Sequence, residues 1–219
     1  IGAIGAERLR RFVGFMMLSS IGTILIAISM LNTQAWSAAL YYLIHSTLIA
    51  AAFYLLCGWI TSQRGAFKDH FNIAPQMKQH KVLAITYFMI ALMMAGLPPF
   101  SGFLGKVFIL QATANMAHQG WIIGIILLVS LLSIIAFTRV GFILFWRATK
   151  PEDDIRTEAY DEYQTLPAIA PPRNDRVIYL LLTGLVLYVV FANPIQQYML
   201  NTAQQIQHNA AYEALILKK

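Results

Sequence analysis

Four stretches of this chain are long, apolar and free of Asp and Glu: residues 12–31, 38–60, 121–146 and 177–192. A fifth, residues 82–116, is apolar on both sides of Leu97-Pro98-Pro99-Phe100. Such runs leave few ways to fold. About 20 mainly apolar residues cross a bilayer as a helix, and in hydrocarbon only helices or closed barrels satisfy the backbone. The composition agrees: 58% of the 219 residues are hydrophobic and 12% charged, against roughly 45–50% and 25% in soluble domains. Disorder, collagen, coiled coil and a disulfide scaffold are excluded, and the single Cys57 sits in an apolar run as a small buried residue. The fold class expected is an all-α polytopic transmembrane bundle of about five spans, one of them broken at Pro98-Pro99. The shortest run, 177–192, could borrow residues 194–200 or sit tilted.

The 16 Lys and Arg against 10 Asp and Glu would suggest nucleic acid in a soluble protein. Here their placement is topological. If residues 82–116 make one broken pass, three segments share a side. They are the start (Arg8, Arg10, Arg11), the loop after residue 60 (Arg64, Lys68, Lys78, Lys81) and the segment after Trp146 (Arg147, Lys150, Arg156, Arg173, Arg176). The opposite side has no basic residue until Lys218 and Lys219. A hairpin at 82–116 would flip the third cluster, so the positive-inside rule favours the single broken pass. It also places the start in the cytoplasm and the C-terminus outside. The organisation expected is a helical module over 1–146, a Pro-rich cytosolic linker over 147–176, and a last helix with an outer tail over 177–219. Trp36, Trp59, Trp121 and Trp146 fall at span ends as interface anchors. The start lacks both Met and a signal-peptide pattern, which predicts the C-terminal portion of a longer chain.

Two basic residues lie in no loop. Lys106 is about 16 Å from the outer end of its pass at 1.5 Å per residue, near the midplane of a ~30 Å core. A charge there costs roughly 2.5–3.5 kcal/mol or more and survives when it pairs, lines water or works. Pro99 lacks a backbone N–H, so the break frees carbonyls, and Gly102 and Gly105 admit a close neighbour. A broken helix with a central Lys is an arrangement used by transporters. The alternative is a Lys paired for structure alone. His45 is open between a proton relay and a core histidine satisfied by Ser46, Thr47 or a tyrosine. Arg139, eight residues before Arg147, is expected to snorkel to the cytosolic side; setting a neighbour's charge state is the second reading. Ser19, Ser20 and Thr23 place hydroxyls on the first span, where small residues also serve packing. No nucleophile elbow, zinc-protease pattern, P-loop or dinucleotide fingerprint occurs, and the loop histidines lack metal-ligand spacing. No enzyme, catalytic residue, cofactor or metal is expected.

The run from Ala95 to Lys106, Ala-Gly-Leu-Pro-Pro-Phe-Ser-Gly-Phe-Leu-Gly-Lys, resembles the broken-helix signature of the antiporter-like membrane subunits. That family joins Mrp-type sodium/proton antiporters to the proton-pumping subunits of respiratory complex I and group 4 hydrogenases. Residues 45–58 are similar to its His-bearing helix, and residues 8–22 to its basic helix start and Ser-rich span. The short tail and Glu-Arg-Leu-Arg-Arg are most similar to the D-type Mrp subunit. The resemblance implies that Lys106 carries protons and that His45 sits on a central polar axis. Ser20 stands where relatives often have a second His.

The reading that results is the C-terminal part of a monovalent cation (Na+)/H+ antiporter subunit in a bacterial inner membrane. Lys106 and His45 move protons. Ser20, Ser46, Ser101 and Arg139 line water or modulate. Pro98, Pro99, Gly102 and Gly105 shape the break. Partners implied are the other subunits of a hetero-oligomeric complex, N-terminal helices of the same chain, H+, Na+ and the bilayer, with no nucleic acid. The alternatives are a subunit of a redox-driven pump and a structural or assembly protein without transport.

Overall fold

The computed structural model describes residues 2–72, 74, 76–114, 116–147 and 175–207. Most of the expected linker and the tail beyond residue 207 lie outside them. Among the described residues there are seven α-helices and no β-strand beyond an isolated bridge between Arg8 and His70. They are α1 (Leu9–Ser29), α2 (Thr33–Gln63), α3 (His80–Ala95), α4 (Ser101–Gln111), α5 (Gln119–Gly141, continued by a π-helical turn at Phe142–Trp146), α6 (Asp175–Val190) and α7 (Ala192–Gln207). Three are long and apolar enough to cross a membrane: α1, α2, and α5 with its π turn. The bent pair α6–α7 adds a fourth if counted as one span.

The chain is a polytopic helical bundle organised around α2. Asn32 starts that helix by accepting a hydrogen bond from the Ala35 N–H at 2.7 Å, which satisfies one of the donors a helix start leaves unpaired. At its far end Arg64, buried, donates to the carbonyls of Lys68, His70 and Asn72 and so folds the following loop. Burial pulls its guanidinium down to about 10, still charged at neutral pH. The loop fastens the start of the chain through Leu9 N–H to the Asp69 carbonyl at 2.8 Å and Phe71 N–H to the Glu7 carbonyl at 2.9 Å.

Contacts along α2 decide between a broken pass and a hairpin. Gln79 meets Trp59 and Gln63 through its side chain, and Tyr87 meets Phe53 ring to ring at 6.0 Å. Past the break, Gly102 abuts His45, Gly105 abuts Tyr42, and Asn32 donates to the Ala112 carbonyl. As the chain advances from 79 to 112 its partners on α2 retreat from 63 to 32 without reversing. Helices α3 and α4 are therefore two halves of one pass antiparallel to α2.

An aromatic core of Phe12, Phe53, Tyr87 and Phe137 locks α1, α2, α3 and α5 together, with Phe12 edge-on to Phe137 at 5.2 Å. Tyr87 also donates to the Phe137 carbonyl at 2.9 Å. Toward the other end the core is built of small residues, Ala27, Ala35, Ala38 and Ala39, packed on Ile24 and Ile109, which lets helices approach closely. Basic residues are segregated to one end of the bundle. Arg8, Arg10, Arg11, Arg64, Lys68, Lys78, Lys81, Arg147 and Arg176 gather where α1, α3 and α6 begin and where α2 and α5 finish. The opposite end carries no Lys or Arg among the described residues.

The last apolar run does not continue straight. Helix α6 stops at Val190 and the chain turns by 81° into α7. Pro194 falls in the first turn of α7, where its missing N–H has no intrahelical partner to lose. Tyr41 and Tyr188 exchange hydroxyl-to-carbonyl hydrogen bonds across α2 and α6. Gln196 donates to Ser37 at 3.0 Å, and Thr33 bonds Gln207, so α7 lies obliquely over the start of α2.

Candidate functional site

The break between α3 and α4 brings a charge, an imidazole and free backbone groups into one buried corner. Helix α3 ends at Gly96, which caps it at φ 80°. A side chain there would be strained by that φ, and its Cβ would come within 2.9 Å of Lys106 Nζ. Both demands fall on one residue, so Gly96 shapes the site alongside Gly102 and Gly105. Pro98 and Pro99 follow in an exposed cis-linked connection, and α4 begins at Ser101.

Lys106 is 9% exposed. Its Nζ donates to the Ala95 carbonyl at 2.7 Å and to Ser130 Oγ at 2.9 Å. The carbonyl belongs to the last turn of α3, the negative end of that helix, where a cation is favoured. Each charge-assisted hydrogen bond contributes about 1.5–3 kcal/mol. Two of them offset the roughly 2.5–3.5 kcal/mol cost of a charge at the bilayer centre. The described acids with placed side chains, Glu7 and Asp69, belong to the basic-end loops. Lys106 is held by a carbonyl and a hydroxyl instead.

His45 is 1% exposed, and its Nδ1 is 2.8 Å from Ser101 Oγ. Ser101 opens α4, so the break presents the C-terminal end of one half-helix to Lys106 and the N-terminal end of the other to His45. The Tyr42 ring lies 5.6 Å from the imidazole. Gly102 and Gly105 make this approach of α4 to α2 possible. A Cβ at Gly102 would sit 2.2 Å from the Met93 carbonyl and 2.8 Å from His45 Nε2, and one at Gly105 would sit 2.7 Å from Tyr42.

Lys106, His45, Ser101 and the two glycines therefore meet around the break. Ser20 lines an open groove between α1 and α2 of about 410 Å³ with Ser46, Thr47 and Tyr54. Ser46 itself returns its hydroxyl to the Leu43 carbonyl at 3.1 Å. Arg139 stands apart. It is exposed and donates to the Ile4 carbonyl, nine residues and about 13 Å along α5 from Ser130. Ser130, Tyr42 and Gly96 complete the corner: Gly96 belongs to the quoted motif and Tyr42 to the tyrosines beside His45, though neither was given a role, and Ser130 was missed. For Ser130 the available signal was one of three hydroxyls, with Ser133 and Thr138, in a mostly apolar helix.

A model of the family described as NADH:quinone oxidoreductase/Mrp antiporter, TM, matches residues 1–135. The D-type subunit of the Na(+)/H(+) antiporter of Alkalihalophilus pseudofirmus is 26% identical over 219 residues, covering 100% of this chain and 42% of that protein. The corresponding D-type Na(+)/H(+) antiporter protein of Bacillus subtilis is 31% identical over 160 residues, covering 72% of this chain and 32% of that protein. The fold matches a chain of the Mrp complex from Dietzia sp. DQ12-45-1b with a TM-score of 0.76 at 21% identity, over 96% of this chain and 45% of that one. The chain thus spans less than half the length of these relatives.

Proposed function

We propose, from the premise that this chain belongs to the NADH:quinone oxidoreductase/Mrp antiporter transmembrane family, that it forms part of a monovalent cation/proton antiporter subunit. The corner at the helix break is its proton-handling station. The observation that carries this reading is Lys106, buried at the break and held by the Ala95 carbonyl and Ser130. Lys106 takes up and releases a proton there. His45, hydrogen-bonded to Ser101, is the imidazole that α2 brings to the same corner. Ser20 and Ser46 open this axis to the groove between α1 and α2, and Arg139 modulates from the basic end. Other subunits of the complex and further helices of the longer protein complete the path, with Na+ as the exchanged ion.

The test is transport by the full-length protein in its complex, reconstituted in proteoliposomes. An imposed Na+ gradient is expected to drive proton movement, read with a pH-sensitive dye. Proton movement that responds only to electron donors and a quinone would overturn the antiporter reading in favour of a redox-driven pump.

The clustering of nine basic residues at one end supports a cytoplasmic position for that end. A phosphatase or fluorescent reporter inserted between residues 150 and 173 is expected to report cytoplasm. A periplasmic signal would overturn this orientation.

A further inference from the structure

Lys106 has two hydrogen-bond partners, and they are chemically unlike. The Ala95 carbonyl can only accept. Ser130 carries a hydroxyl, and that hydroxyl already donates to the Ile126 carbonyl one turn back at 2.9 Å. Toward the Lys106 ammonium, Ser130 therefore accepts, at 2.9 Å. A neutral amine keeps two N–H donors and gains a lone pair. The Ala95 carbonyl can go on accepting from one of those N–H groups, but it has nothing to offer the lone pair. Ser130 has: a rotation about its Cβ–Oγ bond turns the O–H from the Ile126 carbonyl to Nζ. Ser130 neither gains nor loses a proton in this exchange.

We propose that Ser130 is a positioning residue for proton transfer, holding Nζ at the break in both protonation states by exchanging acceptor for donor. The inference rests on the reading of Lys106 as the proton carrier. It assigns α5 an active part, since α5 is the only described helix besides the two halves of the broken pass that bonds Lys106. The side chains that reach this corner include Tyr41, Tyr42 and His45 of α2 and Ser130 of α5, while α3 presents backbone at Ala95 and Gly96. His45 is the titratable neighbour that would share any change in pH response.

The experiment compares Ser130→Ala, Ser130→Thr and Lys106→Ala in the full-length protein within its assembled complex, measuring antiport across pH and assembly on native gels. Ser130→Ala loses a charge-assisted bond to the ammonium and a weaker, neutral bond to the amine, so the ammonium loses more. Turnover is expected to fall about 10-fold and the pH of half-maximal transport to move down by about one unit. Ser130→Thr keeps a hydroxyl that can back-bond in the same way and is expected to restore both. An unshifted profile in Ser130→Ala overturns the inference, whatever the turnover. So does equal loss in the Ala and Thr variants, or loss of assembled complex in both, since each marks Ser130 as a packing residue. If Lys106→Ala transports like the wild type, the reading of Lys106 itself fails. If Lys106→Ala is inactive and Ser130→Ala is normal, only the role of Ser130 fails.

Discussion

Lys106→Ala in the full-length protein is expected to lower antiport by about 100-fold or more, the scale on which a positioned proton-transfer group contributes, while the complex still assembles. Assembly should survive because the substitution removes a costly buried charge together with its two hydrogen bonds. The Ala95 carbonyl gives up its bond to the ammonium, a cost set against the buried charge removed with it, and Ser130 keeps its bond to Ile126. Lys106→Met tests the same point with the volume retained, and it separates transport from packing. A protein whose Lys106 served structure alone would tolerate Met and transport normally. Lys106→Arg supplies the sharper contrast. Arginine keeps the positive charge but does not release its proton in this pH range. If Lys106 acts by carrying a proton, Lys106→Arg is as inactive as Lys106→Ala. Near-normal transport in Lys106→Arg would assign Lys106 an electrostatic role instead. Transport is read from cation-driven pH changes in proteoliposomes, and assembly from native gels of the same preparations.

The helices that dominate the bundle were legible because membrane-crossing helices are coded redundantly, in length, apolarity and flanking charge. The single broken pass was legible for a related reason. Lys78 and Lys81 before it and Arg147 after the next span can share one side only if residues 82–116 cross once, and the contacts along α2 run in that order. The turn after Val190 was harder to see. Residues 195–200 look like a continuation of the apolar run, and only Pro194 marks a new helix start. At the site, Lys106, Ser101, Gly102 and Gly105 were legible because they lie close together in one motif beside two prolines. Ser130 was not. Helix α5 is apolar nearly all round, so its periodicity does not say which face meets α4. That face is set by the packing of Phe137 on Phe12 and Phe53, more than 80 residues away in the chain. Gly96 lay inside that motif without a role of its own: its need for a positive φ follows from where α3 stops, although a Gly just ahead of Pro98 is itself a helix-end signal.

The second large effect concerns the closeness of the two half-helices to α2. Gly102→Val is expected to lose transport and to reduce the assembled complex several-fold, with Gly102→Ala intermediate. A Cβ at position 102 would stand 2.2 Å from the Met93 carbonyl oxygen and 2.8 Å from His45 Nε2. The first of these is backbone at the end of α3, so no side-chain rotation relieves it. Either the break opens or α4 withdraws from α2. Overpacking of this kind costs about 1–3 kcal/mol even where side chains can yield. Here it would also pull Ser101 away from His45, whose 2.8 Å contact depends on the same approach. Gly124→Ala on α5 is the control. No atom outside its own stretch of helix lies within 4 Å of a Cβ there, and Ala is favoured over Gly in a helix by about 1 kcal/mol. That variant is expected to assemble and transport normally. The quantities to compare are the fraction of assembled complex on native gels and the cation-driven proton flux per assembled complex. If Gly102→Val assembled and transported like Gly124→Ala, the close contact of α4 with α2 would not be required, and the arrangement built on it would be wrong.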